Sequence, residues 1–492
     1  MNDEFGDFRF RYCPSCGLDS GVGGKFCRSC GTSLTRTIEA PEPRDESQSS
    51  TALRKRSSRS SRRFRIVVAL ACLVVVAGVT VTITNLATPG KAPFTFSATD
   101  AENLTWRLSK MPLLPGPKGS TADLVSVSCP MSSFCIAVGT RQYYDPTTSD
   151  YSELPLVERF NGSRWTVEPL HSPDSAPQVG QLPEDQLTNV SCPTVQFCMA
   201  VGSFGRLSTS TGLGTGVSGA LVEIFNTRTW RTVELRASSK SDTNAFLEAV
   251  SCLQPRSCFV VGSAESPHVL QTLVSYKYEG GSWTSEPFAG VGKDSVDNLN
   301  RIYCSSMSHC LAVGTSSFGT FASSKALAAV FAGHTWELDT PLTAQQQAAG
   351  VSDLADASCL PDGRCVTIGS VEVGPYLGVS NTNFGPIVES FRSGKWHDLI
   401  SQNAPEFAGV SFETLDCRQT WCSLVGVQGT TLYVETLADS AWHLSASVPS
   451  IPEKTGFNSV SCSPEGRCVA VGYTPSGPTA LVGSLPSGNG PG

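Results

Sequence analysis

Short apolar runs separated by turn residues recur along most of this chain, and the same four recur in the same order. Val190-Ser191-Cys192 and Cys198 to Gly202 flank a five-residue turn, Leu221 to Phe225 alternates apolar with polar positions and then turns, and Trp230 to Leu235 follows. Runs of this length with period-two alternation predict strands, four to a unit. The turn pairs Asn161-Gly162, Gly280-Gly281 and Ser393-Gly394 favour positive φ and therefore hairpins. The unit returns seven times, its first cysteine falling at Cys129, Cys192, Cys252, Cys304, Cys359, Cys417 and Cys462, at spacings between 45 and 63 residues. Four antiparallel strands repeated seven times predict a mainly β fold, a seven-bladed propeller over residues 101–487, with a short tail at 488–492.

The ends of the repeat region support a closed ring. Trp106 precedes any cysteine pair, while Thr479 to Leu485 matches the third strand of the unit and has no tryptophan after it. Head and tail each supply part of one blade, which removes the unpaired edges of an open array. The unit tryptophans are then Trp106, Trp165, Trp230, Trp283, Trp336, Trp396 and Trp442, one per blade; Trp421 is additional.

Ahead of the repeats the pattern changes. From Ile66 to Thr84 the chain runs nineteen residues without a charge, long enough at about 1.5 Å per residue to cross a hydrocarbon core, so 66–86 is expected to be a transmembrane helix. Arg54, Lys55, Arg56, Arg59, Arg62, Arg63 and Arg65 precede it and the first charge after it is Lys91. Basic flanks stay in the cytoplasm, which predicts an internal N-terminus, an external propeller and a single-pass location in the cell membrane. Residues 36–65 and 87–100 read as linkers. Residues 1–86 hold 13 of the 36 Lys and Arg and 8 of the 43 Asp and Glu, leaving 23 against 35 for the remainder. The acidic repeat region repels polyanions, and nucleic acid is excluded as its expected partner.

The nineteen cysteines divide by position: four at Cys13, Cys16, Cys27 and Cys30, one at Cys72 in the apolar run, and fourteen in the repeats. The first four form two CxxC knuckles ten residues apart, each followed by glycine, a closed tetrahedral thiolate shell suited to one structural Zn²⁺. This stretch resembles the short zinc-ribbon family found at the termini of many bacterial proteins; the ribbon is placed at residues 1–35 and offers a surface for a cytoplasmic protein. The fourteen others pair six residues apart, five at Cys417 and Cys422, across the turn between two strands. In an oxidising exterior the pairs Cys129–Cys135, Cys192–Cys198, Cys252–Cys258, Cys304–Cys310, Cys359–Cys365, Cys417–Cys422 and Cys462–Cys468 are expected as disulfides.

The phrases SCPTVQFCMAVG and LVERFNGSRW resemble the cysteine-stapled propeller repeats of actinobacterial envelope proteins, broadly similar to the kelch and galactose-oxidase-like superfamily. The resemblance implies fold and an envelope setting, and no chemistry. The Ser and Asp positions of the sialidase Asp-box are not matched at Asn161-Gly162-Ser163-Arg164-Trp165, and the kelch double-glycine pattern is missing from the repeat.

With Val-Ser-Cys innermost, every long connection emerges on one face and both short turns on the other. The long connections include 140–153, 170–187, 203–219 and 370–386, and variable loops on a rigid scaffold carry binding. Tyr143, Tyr144, Asp145, Tyr151, Phe204, Arg206 and Tyr376 are the candidate ligand residues there, aromatic faces being suited to sugar rings and protein partners. The six histidines fall in different units without a nucleophile, and the scattered carboxylates form no motif. The expectation is therefore a membrane-anchored, non-enzymatic module that binds or scaffolds an envelope protein or cell-wall glycan. The alternatives are an envelope glycan hydrolase or lyase, and a transmembrane sensor coupled to the ribbon.

Overall fold

Alternating apolar positions need two covered faces when a sheet stands between neighbours, and seven small sheets supply that cover for one another in a closed circle. The computed structural model describes residues 99–485 except for stretches between strands, the longest at 171–180, 236–244, 340–350, 374–382 and 400–409. The repeat region lies within one unit, Lys91–Gly492. The zinc-ribbon cysteines and the apolar run 66–86 fall outside the described residues; among the described residues no helix is long and apolar enough to cross a membrane.

Among the described residues seven sheets are present, each built on strands that pair antiparallel, mostly in chain order. Their innermost strands are Thr121–Met131, Gln186–Thr194, Ala245–Gln254, Ser295–Ser306, Ser352–Cys359, Ser411–Arg418 and Gly456–Cys462, numbered here as blades 1 to 7. Each packs on the next, and that of blade 7 packs on that of blade 1, so the ring is closed. Blade 7 takes its outer strand, Thr105–Ser109, from the head of the propeller, with Trp106 opposite Gly483. The shared blade expected from Trp106 is thus present. Two blades exceed the expected four strands. Gln181–Pro183 pairs with the second strand of blade 2, and Phe288–Ala289 runs parallel to Trp336–Asp339 in blade 4.

One transverse row explains the repeated phrase. In blade 3, Cys252 faces Cys258, Cys258 faces Tyr278, and Tyr278 faces Trp283, so the motif residues cross all four strands side by side. All seven predicted disulfides are formed, with Cα atoms 3.8 to 4.1 Å apart. At the outer end of the row the tryptophan packs on its aromatic neighbour, ring centroids lying 5.1 Å apart for Phe160 and Trp165 and 5.3 Å for Phe331 and Trp336. In blade 7, Gly483 stands where the others carry a large side chain, and the indole of Trp106 fills the space, 2.8 Å from where a Cβ would lie. The additional Trp421 is buried between blades 6 and 7.

Seven apolar clusters occupy the seven junctions between blades. The serine of Val-Ser-Cys ties the same junctions. Its hydroxyl accepts the backbone N–H of the next blade's cysteine: Ser461 from Cys129, Ser128 from Cys192, Ser191 from Cys252, Ser251 from Cys304, and Ser358 from Cys417, each at 3.0 to 3.1 Å. Asp416 does the same for Cys462. A buried strand N–H must find a partner, and here the neighbouring side chain provides it.

Both short turns of each blade lie on one face, as expected: the Arg467 guanidinium, from a turn of blade 7, donates to Ser132 O and Gly162 O in the two turns of blade 1. The long connections leave from the other face. Several are strands for much of their length, Phe134–Asp145 and Asp150–Phe160 extending the expected loop 140–153 as a hairpin.

Candidate active site

The site begins with an irregularity shared by all seven innermost strands. Between the fifth and third residues before the first cysteine the register slips by one, as between Leu124 and Ser126 or Leu354 and Asp356. The slip recurs in every blade. A β-bulge places two residues opposite one and turns a side chain out of the ladder. The extra residues are Val125, Thr188, Glu248, Asn300, Ala355, Glu413 and Asn458, and all seven line one cavity of about 500 Å³ on the propeller axis.

The bulge also accounts for the glycine of Ala-Val-Gly. That glycine sits against the strand just before the slip, where a Cβ on Gly139 would stand 2.1 Å from Asp123 O and one on Gly369 2.0 Å from Asp353 O. No side chain fits, so the phrase records a close backbone approach.

Three bulge residues cap carbonyls of the next blade. Asn458 donates to Leu124 O at 2.9 Å, Thr188 to Leu247 O at 2.8 Å, and Asn300 to Leu354 O at 3.0 Å. Glu248 and Glu413 occupy the same position, where a carboxylate has no hydrogen to donate to a carbonyl; Glu413 accepts from the Ser411 hydroxyl, and both line the cavity. Asp123, Glu153 and Asp353 join them from the end nearest the long connections. Gln142 fixes Glu153 with a 2.7 Å hydrogen bond, and Ser370 donates to Asp353. Against these five acidic side chains the cavity lining holds one cation among the described residues, Arg301.

Partial burial and mutual repulsion act together on these acids. Desolvation raises Asp123 above the ordinary range, and the charge of Glu153 raises it further. Desolvation likewise raises Asp353, with Glu413 adding to it and the Ser370 hydrogen bond opposing. Glu248 is raised by desolvation and partly relieved by Arg301. The arrangement sets three carboxyls raised by burial beside two further acidic side chains in a half-enclosed space, a setting suited to acid–base chemistry.

The sequence-derived candidates lie elsewhere on the same face. Tyr143 carries the Arg141 guanidinium 4.0 Å above its ring. Tyr144 and Tyr151 pack at 5.1 Å on the blade 1 hairpin, and Tyr151 is exposed. Asp145 ends the strand opposite Asp150. Phe204 lies 5.9 Å from the Arg206 guanidinium; Arg206 is buried and paired with Asp185. Tyr376 lies outside the described residues. Tyr143, Tyr144, Tyr151, Phe204 and Arg206 do not line the axial cavity.

Sequence reasoning missed the bulge residues, although a signal was present. Leu124 and Val127 are both buried, as are Leu187 and Val190, Leu354 and Ala357, and Phe457 and Val460. Apolar positions three apart within a strand break the period of two and require an inserted residue between them.

No protein-family model matches the sequence, and no curated protein is significantly similar to it. Solved structures are similar. A GH93 α-L-arabinofuranosidase of Fusarium graminearum with arabinobiose is 11% identical over 58% of this chain and 89% of its own, at a TM-score of 0.36. A PL25 ulvan lyase is 9% identical over 71% and 89%, at 0.43. The β-propeller domain of the Trilobed protease from Pyrococcus furiosus is 10% identical over 75% and 100%, at 0.37. At these scores the likenesses assign no substrate or reaction to the chain. The expectation of a non-enzymatic module rested on carboxylates without a motif, and the fold removes that ground. The scattered carboxylates set aside for want of a motif meet on the axis.

Proposed function

We propose that the propeller is a glycan hydrolase of the cell envelope, and the observation that carries this reading is the axial cavity lined by five acidic side chains, of which Asp123, Glu248 and Asp353 are raised by burial. Asp353 and Glu413 come from neighbouring blades and both line the cavity. In this reading Asp353 gives its proton to the glycosidic oxygen as the C–O bond breaks, and Glu413 takes a proton from the water that adds to the anomeric carbon. Asp123 and Glu153 supply the opposite wall. The cavity's acidity favours neutral or amino-sugar glycans over polyuronates, which argues for hydrolysis over the lyase alternative.

Full-length protein incubated with neutral wall polysaccharide is expected to release new reducing ends without the ultraviolet absorbance of unsaturated uronate. Asp353→Asn should lower kcat at least 100-fold with an unchanged melting temperature. Absence of reducing ends, or unsaturated products, would overturn the reading.

The proposal includes anchorage by residues 66–86, with Cys13, Cys16, Cys27 and Cys30 holding one structural Zn²⁺ on the cytoplasmic side and the propeller outside. Maleimide added to intact cells should then miss Cys13 and, after reduction, label Cys129; the reverse pattern would sink this topology.

A further inference from the structure

Blade 4 of a seven-bladed ring stands opposite the junction of blades 7 and 1, and one side chain crosses that diameter. Arg301, on the innermost strand of blade 4, donates from Nη2 to Asn458 O in blade 7 at 3.0 Å and to Val125 O in blade 1 at 3.3 Å. Its Nη1 donates to Asn300 O at 3.0 Å, and its Nε lies 3.8 Å from Asp356 Oδ1. Asn458, Val125 and Asn300 are bulge residues, so the bulges that turn side chains to the axis also present the carbonyls that hold the guanidinium there.

The residue has no counterpart in the other blades. The equivalent positions carry Ser126, Asn189, Ala249, Asp356, Thr414 and Ser459, all short. In most of them the side chain accepts an N–H of the next blade: Ser126 from Val190, Asn189 from Val250, Thr414 from Val460 and Ser459 from Val127. Arginine has no acceptor, and the N–H it would have served, that of Ala357, turns to Asp356 Oδ1 instead. Blade 4 thus forgoes a junction hydrogen bond to place a planar cation across the channel.

Resting on the hydrolase reading, we propose that Arg301 is a specificity-determining residue: it stops the axial channel, the cavity is open at one end only, and the glycan is taken by a chain terminus. A threaded or internally bound strand has no exit past the guanidinium. Shortening Arg301 opens a path along the axis and admits the middle of a chain.

The test uses full-length protein and neutral wall glycan strands bearing a fluorophore at one end, together with the same strands tethered to beads by one end or by both. Wild type is expected to shorten free strands stepwise and to bind doubly tethered strands at least tenfold more weakly than singly tethered ones. Arg301→Ala should cut internally and bind both forms alike. If Arg301→Ala does not fold, the wild-type ladder and tether ratio decide. Internal cutting by wild type overturns the blind cavity and leaves the hydrolase standing. End-dependent binding without cleavage overturns the hydrolase and leaves the cavity's polarity standing. Binding indifferent to tethering without cleavage, or no binding at all, overturns both.

Discussion

The two ends of each innermost strand obey opposite rules. At the cysteine end the blades are near copies: five of seven carry serine before the first cysteine, all seven carry the disulfide, and a neighbouring side chain receives the cysteine N–H in most of them. Four residues away, at the bulge, no two blades adjacent in the ring agree: Val125, Thr188, Glu248, Asn300, Ala355, Glu413, Asn458. Identical backbone slips thus present different chemistry. Repetition marks what every junction needs, and divergence marks the one place where seven blades contribute to a single asymmetric space.

That contrast is most sharply broken through the glycine that lets the bulge form. Gly369→Ala would press a Cβ to 2.0 Å from Asp353 O, backbone against backbone, and is expected to cost more than about 4 kcal/mol, read as a collapse of the denaturant midpoint. A midpoint shift below about 1 kcal/mol would mean that the close approach is not required.

A second test concerns the repeated glutamate of Leu-Val-Glu. Glu158, Glu223, Glu389 and Glu435 are buried at four blade junctions. Desolvation raises Glu158, Glu223 and Glu435 from 4.5 to about 7. Glu389, with Asp398 adding repulsion, rises to about 8. The folded state therefore holds more protons than the unfolded chain between these values, so their contribution is full below pH 4.5 and declines as pH rises to about 8. For Glu158 the shift corresponds to about 3 kcal/mol across its window. Neither oxygen of Glu158 has a hydrogen-bond partner among the described residues, so Glu158→Gln should flatten the pH dependence of melting and raise stability at pH 8. An unchanged pH profile would show that Glu158 is ionised in the fold.

The smallest effects compare the strand ends directly. Ser461→Ala removes the acceptor of the Cys129 N–H and is expected to cost about 1 to 3 kcal/mol. Ala355→Ser, on the cavity wall, should change stability by less than about 0.5 kcal/mol. Equal costs at both sites would erase the distinction between scaffold and site.

Most of the scaffold was legible because its parts are local and repeated. Cysteines six apart, one tryptophan per unit and the orphan Trp106 are each visible within a short window, and each maps onto the transverse row or the closing strand. The site was not legible because Asp123, Glu248, Asp353 and Glu413 belong to four different blades, and only the curvature of the ring brings them to one axis. Arg301 was silent for the same reason, its partners Val125 and Asn458 lying 176 and 157 residues away.

The pairing of Thr105 with Ser484 also sets an order of events during biogenesis. The earliest strand of the propeller to emerge has to wait, unmatched, for the latest, while six hairpin-built blades assemble between them from neighbouring segments. Ring closure is then the step of longest loop and slowest search. Until it occurs the strand Gly477–Ser484 presents a bare edge, a template for other chains. The same velcro that leaves the finished ring without a seam makes its final blade the point at which an unfinished one is most prone to misassociate.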